Sequence, residues 1–244
     1  MLGKTHLMGG LACGMVVERS LAVVRALNLT RLPDANLEQV MAPMKGQAVV
    51  EMGSLMLPTI IVIYSAVSLG SLLPDIDEPK SLVSNLPRIV GKRIGRSVGR
   101  QGRGLIDLLF WPINGLTQLL STVVRIGALG HRGATHWAAT ALVIGLLLSG
   151  LGWLIGFPAL GFWLFLGYAS HLTLDMMTLS GLAVWQPFSR RKYHLLPKLM
   201  RVRTGSPIDS LIGISTFSFA ATYAAITYLI PVFVLAQKMD GRAG

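Results

Sequence analysis

One cysteine, Cys13, stands in a chain of 244 residues, so an internal disulfide is impossible and no metal site can be built on several thiolates. Charge is scarce as well: Asp, Glu, Lys and Arg make up 14% of the sequence, where a soluble domain carries roughly a quarter. Acid is the scarcer sign, with 11 Asp and Glu against 22 Lys and Arg, a net charge of +11. The missing charge is not spread evenly. Apolar residues form 52% of the chain, mean hydropathy is +0.59, and the long uncharged runs reach the roughly 18 residues that mark a bilayer-crossing helix. In a soluble protein such a basic balance would point to nucleic acid. Here it fits basic loops facing the cytoplasm and anionic lipid headgroups, and no nucleic-acid partner is expected.

No secretory leader is expected, because Lys4 is the only early basic residue and Glu18 and Arg19 interrupt the first apolar stretch. No period of 20–50 residues repeats, and no low-complexity tract appears. Residues 7–27 read as a helix packed among others. Residues 28–53, with Pro33 and Pro43, read as an extramembrane connection. Residues 55–73 carry no charge and read as a span. The stretch 80–104 holds Lys80, Arg88, Lys92, Arg93, Arg96, Arg100 and Arg103 without an acid. Residues 137–155 and 159–174 read as a helical hairpin, a second basic loop holds Arg190, Arg191, Lys192, Lys198, Arg201 and Arg203, and 211–236 is the last span.

Short basic loops stay in the cytoplasm, so both loops are expected inside, with the hairpin leaving and returning between them. Residues 105–129, broken by Asp107, Pro112, Asn114, Gln118 and Arg125, then cannot be one simple crossing. They are expected to be interfacial or re-entrant. The expectation is an all-α, polytopic helical bundle forming a single domain over 1–244. It has about five spans, the N-terminus inside and the C-terminus outside.

The groups able to bind metal gather at the predicted membrane boundaries: His6 in THLMGG, Asp75 and Asp77 in LLPDID, His131 and His136 in HRGATHW, His171 and Asp175 in HLTLD, and Asp209 in TGSPID. The orientation drawn from the basic loops puts all of them on the cytoplasmic side. Ionisable groups near a bilayer are expensive unless paired, and such a set would be neutralised well by divalent cations. His171 and Asp175, four apart, share one helix face and can grip one ion; a surface hydrogen bond gives the same spacing. Asp75 and Asp77 follow Pro74 in an extended or turn segment, where alternate residues point opposite ways. They would address different ions, or Asp77 would cap the next turn. His131 and His136 do not suit one helix face, though a loop leading into the next helix can bring them together, with Thr135 as a candidate N-cap. Arg132 between them suits bidentate contact with a phosphate, or an exposed or Asp-paired place. His194 reads as surface.

THxxxG, LLPDID, HRGxTH, HxxxD and TGSxxD together resemble the YdjM-like family of bacterial inner-membrane metal-dependent hydrolases, which is similar at a distance to zinc-dependent phospholipase C. The resemblance runs from His6 to Asp209, with LLPDID and HRGATH its specific parts. It implies a helical fold and a phosphoester-cleaving site of up to three zinc ions. It also implies His6, Asp75, His131, His136, His171 and Asp175 as ligands, with Asp77 weaker and Asp209 standing where the family pattern tends to have glutamate.

The combined reading is a hydrolase of the bacterial inner membrane using one to three divalent ions, zinc first, with manganese or iron as alternatives. Asp75 would bridge ions or act as general base, and Arg132 would steady charge on a phosphoryl oxygen. The substrate would be a membrane lipid or a lipid-linked phosphate. An ion-coupled carrier using the same His and Asp residues, or a non-catalytic membrane interaction protein, are the other classes open to this sequence.

Overall fold

The computed structural model describes residues 3–32, 35–45, 49–52, 55–78, 81–97 and 133–240, with helical residues between 111 and 126. Among the described residues, seven continuous helices carry the fold: α1 Gly3–Thr30, α2 Leu37–Lys45, α3 Thr59–Leu72, α4 Leu82–Ser97, α5 Ala138–Leu154, α6 Leu160–Met176 and α7 Pro207–Asp240. A short antiparallel hairpin, β1 Val49–Met52 and β2 Leu55–Pro58, joins α2 to α3. The span expected from 55 therefore begins later. Pro58 sits extended at φ −56° and ψ 126° and caps α3, because proline fixes φ and supplies no donor, which suits an entry position better than a helix interior.

The bundle is built on α1. It packs along α7, against α3 and α6, and under α2. Ala22 and Ala26 of α1 meet Val40, Met41 and Leu235 in one buried cluster. Val62, Ile63, Ala66, Val67 and Trp163 with Phe157 form another between α3 and α6. Away from the site, the Lys238 ammonium donates to the Thr30 carbonyl at 2.6 Å and ties the end of α1 to α7. Outward faces are apolar: Leu142, Val143, Leu146 and Leu147 on α5, and Phe219, Ile226, Leu229 and Phe233 on α7 are all exposed. That is inverted for a water-soluble protein and right for lipid.

Among the described residues, α1, α3 with its following turn, and α7 are long and apolar enough to cross a membrane. The hairpin helices α5 and α6 have 17 residues each, about 25 Å of helix against a hydrocarbon core of about 30 Å. Of 105–129, residues 111, 115, 117–119, 121–124 and 126 are described and helical. They lean on α4 through Gln118 Nε2, which donates to the Ser84 carbonyl at 2.9 Å, and through the Ser84 and Ser121 hydroxyls at 3.3 Å. The remainder of that stretch lies outside the described residues.

What positions the site is the crossing of α3 and α6. A Cβ on Gly70 would come within 2.0 Å of the Leu164 carbonyl oxygen, and one on Gly167 within 2.0 Å of the Val67 carbonyl oxygen. The two backbones touch there, and small residues are what allow it in membrane helices. Gly167→Ala is expected to push the helices apart and lower stability by about 1–3 kcal/mol or more, read as thermal unfolding in detergent. Gly150→Ala on α5, where nothing lies within 4 Å, is expected to be neutral or stabilising by up to ~1 kcal/mol. Equal behaviour of the two variants would contradict the contact.

The ends of α3 and α6 and the starts of α1, α5 and α7 all lie together, because His6, Asp75, His136 and His171 approach one another and the Thr5 hydroxyl donates to the Asp209 carbonyl at 3.2 Å. Both basic segments are attached to that end. Reporters fused after Arg203 and after Gly244 are expected on opposite faces of the membrane. A shared face would refute this arrangement.

Candidate metal centre

Four pieces of chain deliver the central side chains. His6 comes from the first turns of α1. Asp75 comes from the 3₁₀ stretch Leu73–Asp77 that follows α3, where Pro74 cannot continue the α-helical bonding and the tighter winding takes over. The segment is thus a 3₁₀ turn and not extended. At three residues per turn, Asp75 and Asp77 still point different ways. His136 ends a second 3₁₀ turn, Ala134–His136, its N–H bonded to the Gly133 carbonyl at 2.9 Å. His171 and Asp175 share one face of α6, as their i, i+4 spacing implies.

These five converge. His6 Nε2 lies 3.4 Å from Asp175 Oδ1, and His136 Nε2 lies 3.7 Å from Asp175 Oδ2 and 3.8 Å from Asp75 Oδ1. His171 Nε2 lies 3.6 Å from Asp75 Oδ1 and 4.0 Å from Asp175 Oδ2. The His6 and His171 rings stack at 3.6 Å, and His136 meets His171 edge-on at 5.3 Å. Two groups of potential ligands result, His6, Asp75 and His171, and His136, His171 and Asp175, each with its donor atoms within 4.8 Å of one another.

The cluster is dry. His6, His136, His171 and Asp175 are all but fully buried, while the Asp75 side chain is 15% exposed and forms the open edge. His6 Nδ1 and His171 Nε2 are buried with no hydrogen-bond partner among the described residues, which is costly for a polar atom. Two donors each about 2.1 Å from one tetrahedral ion lie about 3.4 Å apart. The observed separations are long for hydrogen bonds and close to that value.

Behind the cluster sits a second layer that sequence reasoning missed. The His171 Nδ1 faces the Ser71 carbonyl at 2.7 Å; with its N–H donated there, Nε2 keeps its lone pair for the cluster. Thr135 does not cap α5, which begins after Trp137 without a side-chain cap. Its hydroxyl donates to Asp77 Oδ2 at 2.9 Å and lies 3.0 Å from His136 Nδ1, while the Tyr168 hydroxyl donates to the Thr135 carbonyl. Asp77 is fully buried behind His136 and is not among the grouped donors. An i, i+1 Thr–His pair carries no periodic signal. The only hint was the Thr between Gly133 and His136, which suits an N-cap equally well.

Asp209 is buried too, and it closes the start of α7. Its Oδ2 accepts from the Gly205 backbone N–H at 2.8 Å, and its own N–H donates to the Ser206 hydroxyl at 3.3 Å, a reciprocal capping arrangement that explains TGSPID locally. It neighbours the cluster through Thr5 and is not among the grouped donors. His131 and Arg132 lie outside the described residues. His194 stays in the loop after α6, its Nε2 3.4 Å from the Leu179 carbonyl.

Loss of cluster donors should differ from loss of supports. His171→Ala or Asp175→Ala is expected to abolish tight divalent-metal binding and the thermal stabilisation that metal gives. Thr135→Val should weaken metal affinity by roughly 10–100-fold without abolishing it. Asp209→Ala should cost about 1 kcal/mol of stability with metal content unchanged. Metal content by elemental analysis and unfolding with and without chelator check all four. Metal retained in His171→Ala and Asp175→Ala would sink the assignment.

Along residues 1–241 the chain is matched by the model of a family described as YdjM inner membrane protein. No curated protein and no solved structure matches it.

Proposed function

The chain belongs to the YdjM inner membrane protein family, and from that premise we propose that it is a membrane-bound, metal-dependent hydrolase acting on a phosphoester of a membrane lipid or lipid-linked carrier. One observation supports this most: three imidazoles and two carboxylates gathered at 3.4–4.0 Å in a buried place. Three or four of His6, His136, His171, Asp75 and Asp175 would hold the ion, since a catalytic ion keeps a position open for water. His171 Nε2 can serve one ion only, and both donor groups use His171, so this donor set suits one ion; a second or third would need His131 or another donor. Neutral imidazole nitrogen with carboxylate oxygen suits zinc, then manganese or iron.

When bound, such a metal would polarise a phosphoryl oxygen and make water a nucleophile near neutral pH. The protein supplies the rest. The Ser71 carbonyl holds His171 in one tautomer, and Thr135 with Asp77 holds His136, so the donors are fixed before substrate arrives. Asp75, on the open edge, would take the proton of the attacking water at a carboxylate oxygen. Arg132, in the HRG that precedes His136 in sequence, would bind two phosphoryl oxygens with its fork of donors. The basic residues at this end, such as Arg88, Lys92, Arg190 and Arg191, would attract anionic headgroups.

The test is a bacterial lipid extract incubated with protein, with metal and with chelator, then read by mass spectrometry. Metal-dependent loss of a headgroup is expected. Arg132→Ala should cut that turnover by roughly a hundredfold or more while metal content stays near wild type, and Arg132→Lys should recover only part. A carrier would give no hydrolysed product in any variant.

A further inference from the structure

A groove of about 530 Å³ lies between α5, α6 and the loop after them, outside the metal cluster. Leu142, Phe165, Ala169, Leu172, Trp185 and Phe188 are among its walls. Its polar exceptions are few. The Gln186 amide oxygen already accepts from the Trp137 ring N–H at 3.1 Å. The volume falls within the range of small-molecule sites, about 300–1,000 Å³, yet the walls offer almost nothing for a polar ligand to bond.

The groove flanks the site. Ala138 follows His136 by two residues, Leu172 is next to His171, and Met176 is next to Asp175, so the wall that bounds the groove also backs the cluster. The loop that closes it is ordered by backbone bonds: the Ala138 N–H donates to the Val184 carbonyl at 2.9 Å, and the Leu195 N–H to the Met176 carbonyl at 2.9 Å. At its mouth Trp185 and Phe188 are exposed, and Arg190, Arg191 and Lys192 follow directly. Aromatic rings beside cations mark the headgroup level of a bilayer.

An apolar groove facing lipid cannot hold water, which would find no partners there. Nor would it stay empty, since its lining would lose dispersion contacts. We infer that this groove is the binding site for a single hydrocarbon tail of the lipid whose phosphate the His/Asp cluster addresses. The tail lies along α5 and α6, and its anionic headgroup comes level with the cations of the loop. The assignment rests on the lipid-hydrolase reading for the identity of that lipid, and on the groove's own shape, apolarity and flanking charge for the tail.

The experiment uses the full chain in nanodiscs doped with phosphatidylglycerol carrying a diazirine on one acyl chain, photolysed and mapped by peptide mass spectrometry. Label is expected to concentrate on 138–142, 165–176 and 184–188. Ala169→Phe, which fills the groove, should lower that labelling about tenfold, the scale of a misfitted hydrophobic pocket, and Ala139→Trp serves where the first variant fails to fold. Leu146→Phe, on the outward face of α5 and 63% exposed, should leave it unchanged. Label spread evenly over the outer faces of α5, α6 and α7 means annular lipid only and overturns the inference, as does undiminished labelling in both filled variants. Labelling needs no turnover. A labelled groove in a protein that hydrolyses nothing removes the hydrolase reading alone, and active protein with an unlabelled groove removes the tail site alone.

Discussion

Burying ionisable groups at the end of an apolar bundle is the constraint to which the other features answer. Each carboxylate or protonated imidazole withdrawn from water costs several kcal/mol unless partners restore what solvent gave. Here three imidazoles and two carboxylates are gathered together at the end of the bundle, with Asp75 alone on an open edge. Their N···O separations run from 3.4 to 4.0 Å, spacings at which mutual pairing restores only part of that loss. A divalent cation would repair it, and the second layer makes sense on that basis. Ser71 presents a main-chain carbonyl to His171, and Thr135 links His136 to Asp77. Each contact fixes the far nitrogen of an imidazole and leaves the near one aimed inward. The glycine contact between α3 and α6 then has a reason beyond packing, because it brings the Ser71 carbonyl to hydrogen-bonding distance of a ring on the neighbouring helix.

Much of this was legible in the sequence because two simple periodicities carried it. Uncharged runs gave the apolar helices, and HxxxD on a helix gave one face. LLPDID and HRGATH marked the turns that enter the site. The parts that failed share a cause: they depend on contacts between residues far apart in the chain. Pro58 could sit inside a span or at its entrance, and only the β1–β2 hairpin before it decides. Thr135 looked like a cap because capping is a local rule, whereas its real partner, Asp77, is 58 residues away. Asp209 shows the local side of the same motif: its Oδ2 accepts from the Gly205 N–H and its own N–H donates to the Ser206 hydroxyl at the start of α7, contacts that TGSPID carries within five residues. Asp75 and Asp77 had to diverge in either an extended or a 3₁₀ geometry, so that part of the reading did not depend on which of its two alternatives the segment adopts.

The basic residues add a field to this geometry. Exposed Arg88, Lys92, Arg93 and Arg96 lie on α4 with Leu86, Ile89, Val90 and Ile94 exposed beside them, the composition of a helix lying in the headgroup layer. The loop after α6 repeats the mixture, with Leu199 and Met200 exposed between Lys198 and Arg201. Both segments leave from the end of the bundle that carries the His/Asp cluster. Cationic surface therefore borders the place where the buried acids lie, the end to which an anionic headgroup would be attracted.

The sidedness of that end does not depend on whether the α5–α6 hairpin crosses completely. The hairpin turns at Gly156, whose φ of 81° needs a residue without Cβ. The turn packs near Glu18 and Arg25 of α1. Glu18 is twelve residues beyond His6, about 18 Å along the helix, while α1 continues to Thr30 and α7 to Asp240. The hairpin thus reaches less far than its neighbours, and its turn lies beside half-buried Glu18. A full crossing and return, or a shallower entry and return, is an even number of passes either way. His136 and His171 end on the side they started from, and Asp75 and Asp209 join them there. One cluster assembled from four pieces of chain can persist through any tilt or thinning of the bilayer around this short hairpin, because its side chains are fixed to each other and not to the membrane.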